Sequence, residues 1–398
     1  MKYIMLIPDG MFDLPVKELD NKTPLEVAHT PWMDKLALKG SVGRIHTIPK
    51  GFLPASDVAN LNLIGYDPCK YYTGRGPLEA ANLGIHLEDS DVVFRMNFVT
   101  IYENKMIDYS AGHIKDEEAK LLIEELNKKL GTQKIEFFAG KSYRNIMVIR
   151  EGKNLGLQKL KTTPPHDIIG KKITKYLPQG KNNKIILDIM QRSQEILEKH
   201  DINNIRIDLG ENPANMVWLW GQGTKPHLPS FKEKFSIEGG IISAVDLIKG
   251  IGKIIGLEVI EVEGATGYYD TNYQGKAHAA LKVLQDKDFV FLHLESIDEA
   301  GHNQHLREKI LAIERFDKFI VGGIVENLKQ DFRIAICPDH YTPLSLRTHT
   351  NWPVGFIIYG KDIAQDFIKE FNEKNVKDSS LFIDKGYKLI EYLIKGEI

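Results

Sequence analysis

Short apolar runs that end in turn residues alternate along this chain with segments of helical periodicity. The runs YIMLIPDG, LEVIEVEG, FVFLHLES and FRIAICPD have the length and composition of buried strands, and HAALKVLQD and EKILAIERFDKFI repeat apolar residues at helical spacing. Strands that alternate with helices in this way favour a sheet whose strands are largely parallel. The pattern therefore predicts an α/β fold with a largely parallel sheet flanked by helices.

The middle of the chain, from about Ser110 to Leu209, has a different character. It is rich in lysine, contains the breakers PPHD and LPQGKNN, and includes the helical patterns DEEAKLLIEELNKKL and IILDIMQRSQEILEKH. Because the strongest chemical motifs lie before and after it, we expect an inserted α+β domain over residues 66–213. Residues 1–65 and 214–398 would then form the core domain together.

Composition narrows the class of partner. The chain has 398 residues, 42% apolar and 27% charged, which is ordinary for a globular protein and long enough for two domains. Its 52 basic and 54 acidic side chains are mixed along the sequence, so no basic face predicts binding to nucleic acid or to an anionic membrane. We expect a small-molecule substrate.

Cysteine content and hydropathy indicate the compartment. Cys69 and Cys337 supply neither a disulfide framework nor a thiolate metal cluster, which fits a reducing environment. No stretch reaches the roughly 18 uninterrupted apolar residues of a membrane helix. We expect a cytoplasmic protein, either a monomer or a homo-oligomer.

Acidic residues and histidines stand directly after three of the predicted strands. Because the ends of parallel strands share one edge of a sheet, where such folds place ligands, these side chains should converge there, and a following loop could fold back over the same edge. The candidates are Asp9, Asp298, His302, Asp339, His340 and His349. Carboxylates and imidazoles are ligands of Mn²⁺, Zn²⁺ and Mg²⁺. An aspartate after a strand can also be only a helix cap, which is the alternative for each one.

Ser56 is the candidate nucleophile. It stands in FLPASDVANLNLIGYD at the expected start of a helix, where backbone N–H groups and the helix dipole favour an attached phosphate. Two metal ions about 3.5–4 Å apart can clamp the attacking and leaving oxygens of a phosphoryl transfer and activate a hydroxyl. Two alternatives are that Ser56 is an ordinary helix cap and that the chain is a metal-stabilised binding protein without catalysis.

Five segments resemble the signature blocks of the archaeal-type cofactor-independent phosphoglycerate mutases. They are PDG near the start, KTPLEVAHTPWMDKLALKGSVG, LPASDVANLNLIGYDPCKYYTGRGPLEAANLGI, SIDEAGHNQ and CPDHYTP. The resemblance implies an alkaline-phosphatase-like core that interconverts 2- and 3-phosphoglycerate through a phosphoserine. It also implies two divalent ions, preferably Mn²⁺, and no need for 2,3-bisphosphoglycerate. It makes Ser56 the nucleophile and places Asp9, Ser56, Asp339 and His340 around one ion, with Asp298, His302 and His349 around the other.

A phosphorylated, carboxylated substrate requires cationic side chains, and guanidinium suits both of its anionic groups. The candidates are Arg95, His113, Arg144, His166 and Lys249. Lys249 stands in KGIGKIIG, which lacks the spacing of a dinucleotide-binding fingerprint and which we interpret as a loop. Many of the similar mutases carry arginine in place of His113, and AGHI, PPHD and WLWGQG resemble a branch proposed to act as homoserine kinase. That alternative stays open from the sequence.

Overall fold

The computed structural model describes Met1–Glu397 of the chain. In chain order its strands are β1 (Lys2–Pro8), β2 (Ser41–Ile45), β3 (Val92–Tyr102), β4 (Lys105–Asp108), β5 (Ile135–Lys141), β6 (Arg144–Ile149), β7 (Met216–Gly223), β8 (Gly239–Ile242), β9 (Glu258–Ile260), β10 (Phe289–Leu294), β11 (Phe332–Ile336), β12 (Val354–Gly360) and β13 (Phe382–Ile383). The predicted strand runs correspond to β1, β9, β10 and β11.

The α-helices are α1 (Pro24–Val27), α2 (Pro31–Lys39), α3 (Ser56–Leu63), α4 (Pro68–Tyr71), α5 (Arg75–Asn82), α6 (Asp116–Leu130), α7 (Lys184–Leu197), α8 (Asp201–Asp208), α9 (Phe231–Phe235), α10 (Asp246–Ile254), α11 (Tyr273–Asp286), α12 (Ser296–His302), α13 (Leu306–Arg315), α14 (Gly323–Asn327) and α15 (Leu389–Lys395). A π-helical stretch, Phe316–Gly322, continues α13. Short 3₁₀ turns lie at Lys17–Leu19, Gly152–Leu155, Leu157–Lys159, Pro165–Ile168, Ile173–Lys175, Asn375–Asp378 and Gly386–Lys388.

The chain forms two compact units. The first combines Met1–Tyr72 with the described residues from Leu228 onward, and the second is Thr73–His227. The second unit extends past residue 213, the limit expected from sequence, because β7 pairs with β3 and is therefore part of the same sheet.

The first unit is built on an eight-stranded sheet in the order β13-β2-β12-β11-β1-β10-β8-β9. Strand β1 pairs in parallel with β10 and β11, and β8 and β9 continue the parallel arrangement on one side. Only β12 runs against its neighbours β11 and β2. Residues 4–8 of β1 and all of β10 are buried, as expected for central strands covered by helices on both faces. The predicted α/β class with a largely parallel sheet is confirmed.

The second unit has a different sheet with helices against it, in agreement with the expected α+β class. Its order is β4-β3-β6-β5, with β7 also on β3, and every pairing is antiparallel. Helix α6 buries Ala119, Leu122, Ile123 and Leu126 at helical spacing, with acidic residues in its first turn and lysines in its last turn. The tryptophans of WLWGQG belong to β7 and are buried.

Among the helices of residues 1–397, none is long and apolar enough to span a lipid bilayer.

Candidate active site

Three aspartates lie at one edge of the first sheet. Asp9 follows β1, Asp298 lies in the first turn of α12 after β10, and Asp339 follows β11. The strands are adjacent and parallel, so their C-terminal ends bring these side chains together. The backbone N–H of Asp9 donates to the carbonyl oxygen of Leu294 at 3.0 Å, and the N–H of Gly10 donates to Oδ1 of Asp339 at 3.2 Å.

The first group of donor atoms surrounds Nε2 of His340. This nitrogen lies 3.2 Å from Oγ of Ser56, 3.4 Å from Oδ1 of Asp9 and 3.4 Å from Oδ2 of Asp339. Ser56 is the first residue of α3, whose N-cap position is taken by Ala55, and its hydroxyl lies beside Nε2 of His340. The alternative of an ordinary helix cap is therefore wrong.

The second group consists of Asp298, His302 and His349. His302 lies one helical turn after Asp298, and His349 lies on the segment between β11 and β12, which folds back through an antiparallel bridge. Nε2 of His302 lies 3.1 Å from Oδ2 of Asp298 and 2.8 Å from Nε2 of His349. Nε2 of His349 lies 3.4 Å from Oδ1 of Asp298. The rings of His349 and His340 stack at 3.9 Å between centroids, so the two groups are adjacent.

The electrostatics of these side chains fit bound cations. Asp9 is fully buried, and neither of its carboxylate oxygens accepts a hydrogen bond within residues 1–397. Burial raises the pKa of Asp9 well above its usual value, and the carboxylates of Asp339 and Asp298 add to the rise. Burial acts the same way on Asp298, but the imidazoles of His302 and His349 outweigh it and hold its pKa well below the usual range. Buried carboxylates need a counter-charge, and this oxygen and nitrogen set suits Mn²⁺, Mg²⁺ or Zn²⁺.

A third group involves His293 of β10, with Asp9 and Glu295, and its donor atoms are also spaced to hold a metal ion. Nε2 of His293 lies 3.1 Å from Oδ2 of Asp9, and burial lowers the pKa of His293 to about 4, so this imidazole is neutral at pH 7. The buried ammonium of Lys276 donates to the carbonyl oxygen of His293 at 3.2 Å. Burial lowers the pKa of Lys276 to about 8, which still leaves most of it charged at pH 7.

Two buried residues that sequence reasoning missed support the first group. Nδ2 of Asn60 donates to Oδ2 of Asp339 and to the carbonyl oxygen of Ser56, each at 2.9 Å. Oγ1 of Thr342 lies 3.2 Å from Nδ1 of His340. Asn60 follows Ser56 by one helical turn, and Thr342 follows His340 by two residues. Their closeness in sequence to these candidates was the one feature from which they could have been predicted.

Four of the five predicted substrate-binding residues lie together in the second unit. Neighbouring aromatic and imidazole rings meet edge to face at 5.5 to 6.0 Å between centroids. The guanidinium carbons of Arg95 and Arg144 lie 4.7 and 5.6 Å from the ring centroids of Trp220 and Tyr143. The resulting basic aromatic cluster consists of Arg75, Glu79, Arg95, Tyr109, His113, Tyr143, Arg144, His166 and Trp220.

The basic aromatic cluster carries an excess of positive charge. Glu79 pairs with Arg75 and with Arg95, each at 3.2 Å. Burial raises the pKa of Glu79, but Arg95, Arg75 and Arg144 outweigh this effect and hold it below the usual value. Burial lowers the pKa of Arg95 to about 10, so it stays charged at neutral pH. Three guanidinium groups therefore face one carboxylate.

Lys249 belongs to the first unit, not to the basic aromatic cluster. The interpretation of KGIGKIIG as a loop is wrong, because its residues form most of α10, which packs an apolar face that includes Leu247, Ile248 and Ile251. The ammonium of Lys249 pairs with Glu261 at 2.6 Å.

Comparisons with known proteins agree along the whole chain. A family model described as 2,3-bisphosphoglycerate-independent phosphoglycerate mutase matches residues 37–203. A protein of Methanosarcina barkeri with this name is 48% identical over 100% of both chains. A Geobacter sulfurreducens protein named as a probable 2,3-bisphosphoglycerate-independent phosphoglycerate mutase is 45% identical over 99% of this chain and 100% of its own length.

Two solved structures share the fold. The PH0037 protein of Pyrococcus horikoshii has a TM-score of 0.83 and 32% identity, covering 99% of this chain and 97% of that one. The cofactor-independent phosphoglycerate mutase of Thermoplasma acidophilum has a TM-score of 0.66 and 25% identity, covering 99% of each chain. The chain therefore belongs to the 2,3-bisphosphoglycerate-independent phosphoglycerate mutase family.

Proposed function

We propose that this chain is an isomerase that interconverts 2- and 3-phosphoglycerate, a step of glycolysis and gluconeogenesis, without 2,3-bisphosphoglycerate. The observation that carries the proposal is the position of Ser56, whose hydroxyl lies 3.2 Å from Nε2 of His340 and beside carboxylates and imidazoles whose donor atoms are spaced to hold metal ions. A homoserine kinase and a non-catalytic binding protein are not favoured, because the full-length relatives are named as mutases.

Two divalent ions, preferably Mn²⁺ with Mg²⁺ or Zn²⁺ as substitutes, fit the two adjacent groups. Asp9, Ser56, Asp339 and His340 would hold one ion, and Asp298, His302 and His349 would hold the other. When bound, the ions would offset the charge of the phosphoryl oxygens and favour the ionised hydroxyl of Ser56. The third group is less suited to an ion, since the ammonium of Lys276 already lies beside His293. Metal analysis of the loaded chain should find two ions per chain, and three would contradict this assignment.

Ser56 would act as the acceptor and then as the donor of the phosphoryl group. Its Oγ forms a bond to phosphorus, the ester bond of 3-phosphoglycerate breaks, and the proton of the Ser56 hydroxyl ends on the released oxygen of glycerate. The reverse transfer to the other glycerate hydroxyl regenerates Ser56. The first turn of α3 (Ser56–Leu63) would support the bound phosphate through its backbone N–H groups.

The basic aromatic cluster suits the anionic parts of the substrate. Arg95 and Arg144 carry planar guanidinium groups that can bind a phosphate or a carboxylate through two hydrogen bonds. His113 and His166 add ring N–H groups. Lys249, in the first unit, would be available to a substrate only after releasing Glu261, with which it is paired.

A coupled assay tests this function. Mn²⁺-loaded protein should convert 3-phosphoglycerate to 2-phosphoglycerate without 2,3-bisphosphoglycerate, and a chelator should abolish the conversion. Ser56→Ala should lower the rate about 10³-fold or more. The control Ser379→Ala removes a hydroxyl that donates to the carbonyl oxygen of Val42 and accepts from the backbone N–H of Leu381, and it should stay active. Phosphohomoserine formation from homoserine and ATP, without mutase activity, would overturn the proposal.

A further inference from the structure

Thr342 lies between the two metal-binding groups. Its side chain is fully buried. Its Oγ1 lies 3.2 Å from Nδ1 of His340 and donates a hydrogen bond to Oδ1 of Asp298. His340 belongs to the group of Ser56, whereas Asp298 belongs to the other group. One hydroxyl therefore contacts a candidate ligand of each ion.

The chemistry of these side chains fixes the direction of both hydrogen bonds. An ionised carboxylate can only accept, so the single hydroxyl proton of Thr342 goes to Asp298. Oγ1 of Thr342 then accepts from Nδ1–H of His340. An imidazole that binds a metal ion through one ring nitrogen carries its proton on the other. That proton is on Nδ1, which leaves the lone pair on Nε2, the atom that faces Ser56 and Asp9.

The surroundings hold Thr342 in place. Nζ of Lys309 donates to its carbonyl oxygen at 2.8 Å, and its own N–H donates to the carbonyl oxygen of Phe12 at 3.3 Å. A Cβ added at Gly301 would lie 2.4 Å from the carbonyl oxygen of Thr342, and one added at Gly10 would lie 2.6 Å from its Oγ1. Thr342 is therefore closely packed on two sides, with its carbonyl oxygen against Gly301 and its hydroxyl against Gly10.

We propose that Thr342 is a positioning residue that orients one ligand of each metal ion and so couples the binding of the two ions. The inference rests on the proposed function, because it takes both groups to be metal sites. Removal of a hydrogen bond behind a metal ligand typically costs about 10–100-fold in metal affinity. Because one hydroxyl serves both groups, its loss weakens both sites together.

The test compares Mn²⁺ binding isotherms of four purified proteins. Thr342→Val removes the hydroxyl at nearly constant shape and should weaken both sites about 10–100-fold, while Thr342→Ser keeps the hydroxyl and should bind nearly as the wild type does. Thr350→Val is the matched control. Oγ1 of Thr350 is buried and has no hydrogen-bond partner within residues 1–397, so its loss should leave Mn²⁺ affinity unchanged.

Each outcome has a distinct meaning. Wild-type affinity at both sites of Thr342→Val, or weakening of only one site, would overturn the coupling and leave the proposed function intact. Absence of Mn²⁺ binding by the wild type would overturn both. Should Thr342→Val fail to fold, Thr342→Ala decides, because it also removes the hydroxyl and should weaken both sites, and wild-type affinity at either site would overturn the coupling.

Discussion

Asn60 fixes two parts of the first metal-binding group at once. Its amide donates to the carboxylate of Asp339 and to the backbone of Ser56. Asn60→Ala removes both hydrogen bonds, so kcat/KM should fall about 10–100-fold through loss of orientation. Steady-state assays measure this loss. Asn62→Ala is the control, since Asn62 is also buried in α3 but donates to the carbonyl oxygen of Thr47. Equal losses in the two variants would mean that only the packing of α3 matters.

Gly10 leaves no room for a side chain. Its φ is +63°, and an added Cβ would lie 2.6 Å from both Oδ1 of Asp298 and Oγ1 of Thr342. Gly10→Ala should therefore displace Asp298 and weaken Mn²⁺ binding at least about 10-fold, as a titration would measure.

Gly84→Ala is the control that separates the effect of backbone strain from the effect of the steric clash in Gly10→Ala. Gly84 has a φ of +72° with open space around its Cβ position. Gly84→Ala should lower the free energy of unfolding by only about 1–2 kcal/mol, which is the cost of alanine in the left-handed conformation. Its metal binding should be unchanged. Wild-type Mn²⁺ affinity in Gly10→Ala would show that Asp298 tolerates the displacement.

At the residue scale, the side chains that directly follow strands could be predicted from the sequence, whereas the side chains that hydrogen-bond to them could not. Asp9 and Asp339 could be found because the ends of parallel strands share an edge. Asn60 and Thr342 could not, because their hydrogen bonds depend on how α3 and the segment after β11 pack in three dimensions.

At the scale of elements, a buried ion pair joins the segment after β1 to α13. Nζ of Lys309 lies 2.7 Å from Oδ2 of Asp13, and both side chains are buried. Lys309→Met leaves the carboxylate of Asp13 buried without its cation, which should cost about 3–5 kcal/mol in the free energy of unfolding. Denaturant titration measures this loss.

Lys361→Met is the control for that pair. Lys361 pairs with Asp331 at 2.6 Å, but both side chains are exposed. Exposed ion pairs contribute little to the free energy of unfolding, so this variant should have nearly the same free energy of unfolding as the wild type. Equally small losses in the two lysine variants would show that the buried pair is not important for stability.

Element types were predictable where one periodicity dominated. The apolar runs of β1, β10 and β11 and the amphipathic pattern of α6 gave correct assignments. KGIGKIIG did not, because its three glycines suggested a loop, whereas burial of Leu247, Ile248 and Ile251 stabilises α10. The antiparallel direction of β12 depends on the path of the chain after β11, which local sequence does not encode.

At the scale of the whole molecule, Glu373 makes stability depend on pH. Burial raises its pKa from 4.5 to about 7, although it accepts hydrogen bonds from Asp13 and Thr23. Between these values the unfolded chain releases the proton of Glu373 while the folded chain keeps it, so the free energy of unfolding falls as pH rises. Glu373→Gln cannot ionise, so its stability relative to the wild type should increase between about pH 4.5 and 7. A constant difference across that range would contradict the assignment.

The proposed mechanism depends on Ser56 carrying the phosphoryl group. The most direct measurement is rapid acid quenching of Mn²⁺-loaded protein mixed with 3-phosphoglycerate labelled in its phosphate, followed by mass spectrometry of the peptide that contains Ser56. We predict label on Ser56 that appears within one turnover and is absent when the metal is removed. Formation of 2-phosphoglycerate with no label on Ser56, or with label on another residue, would contradict the account.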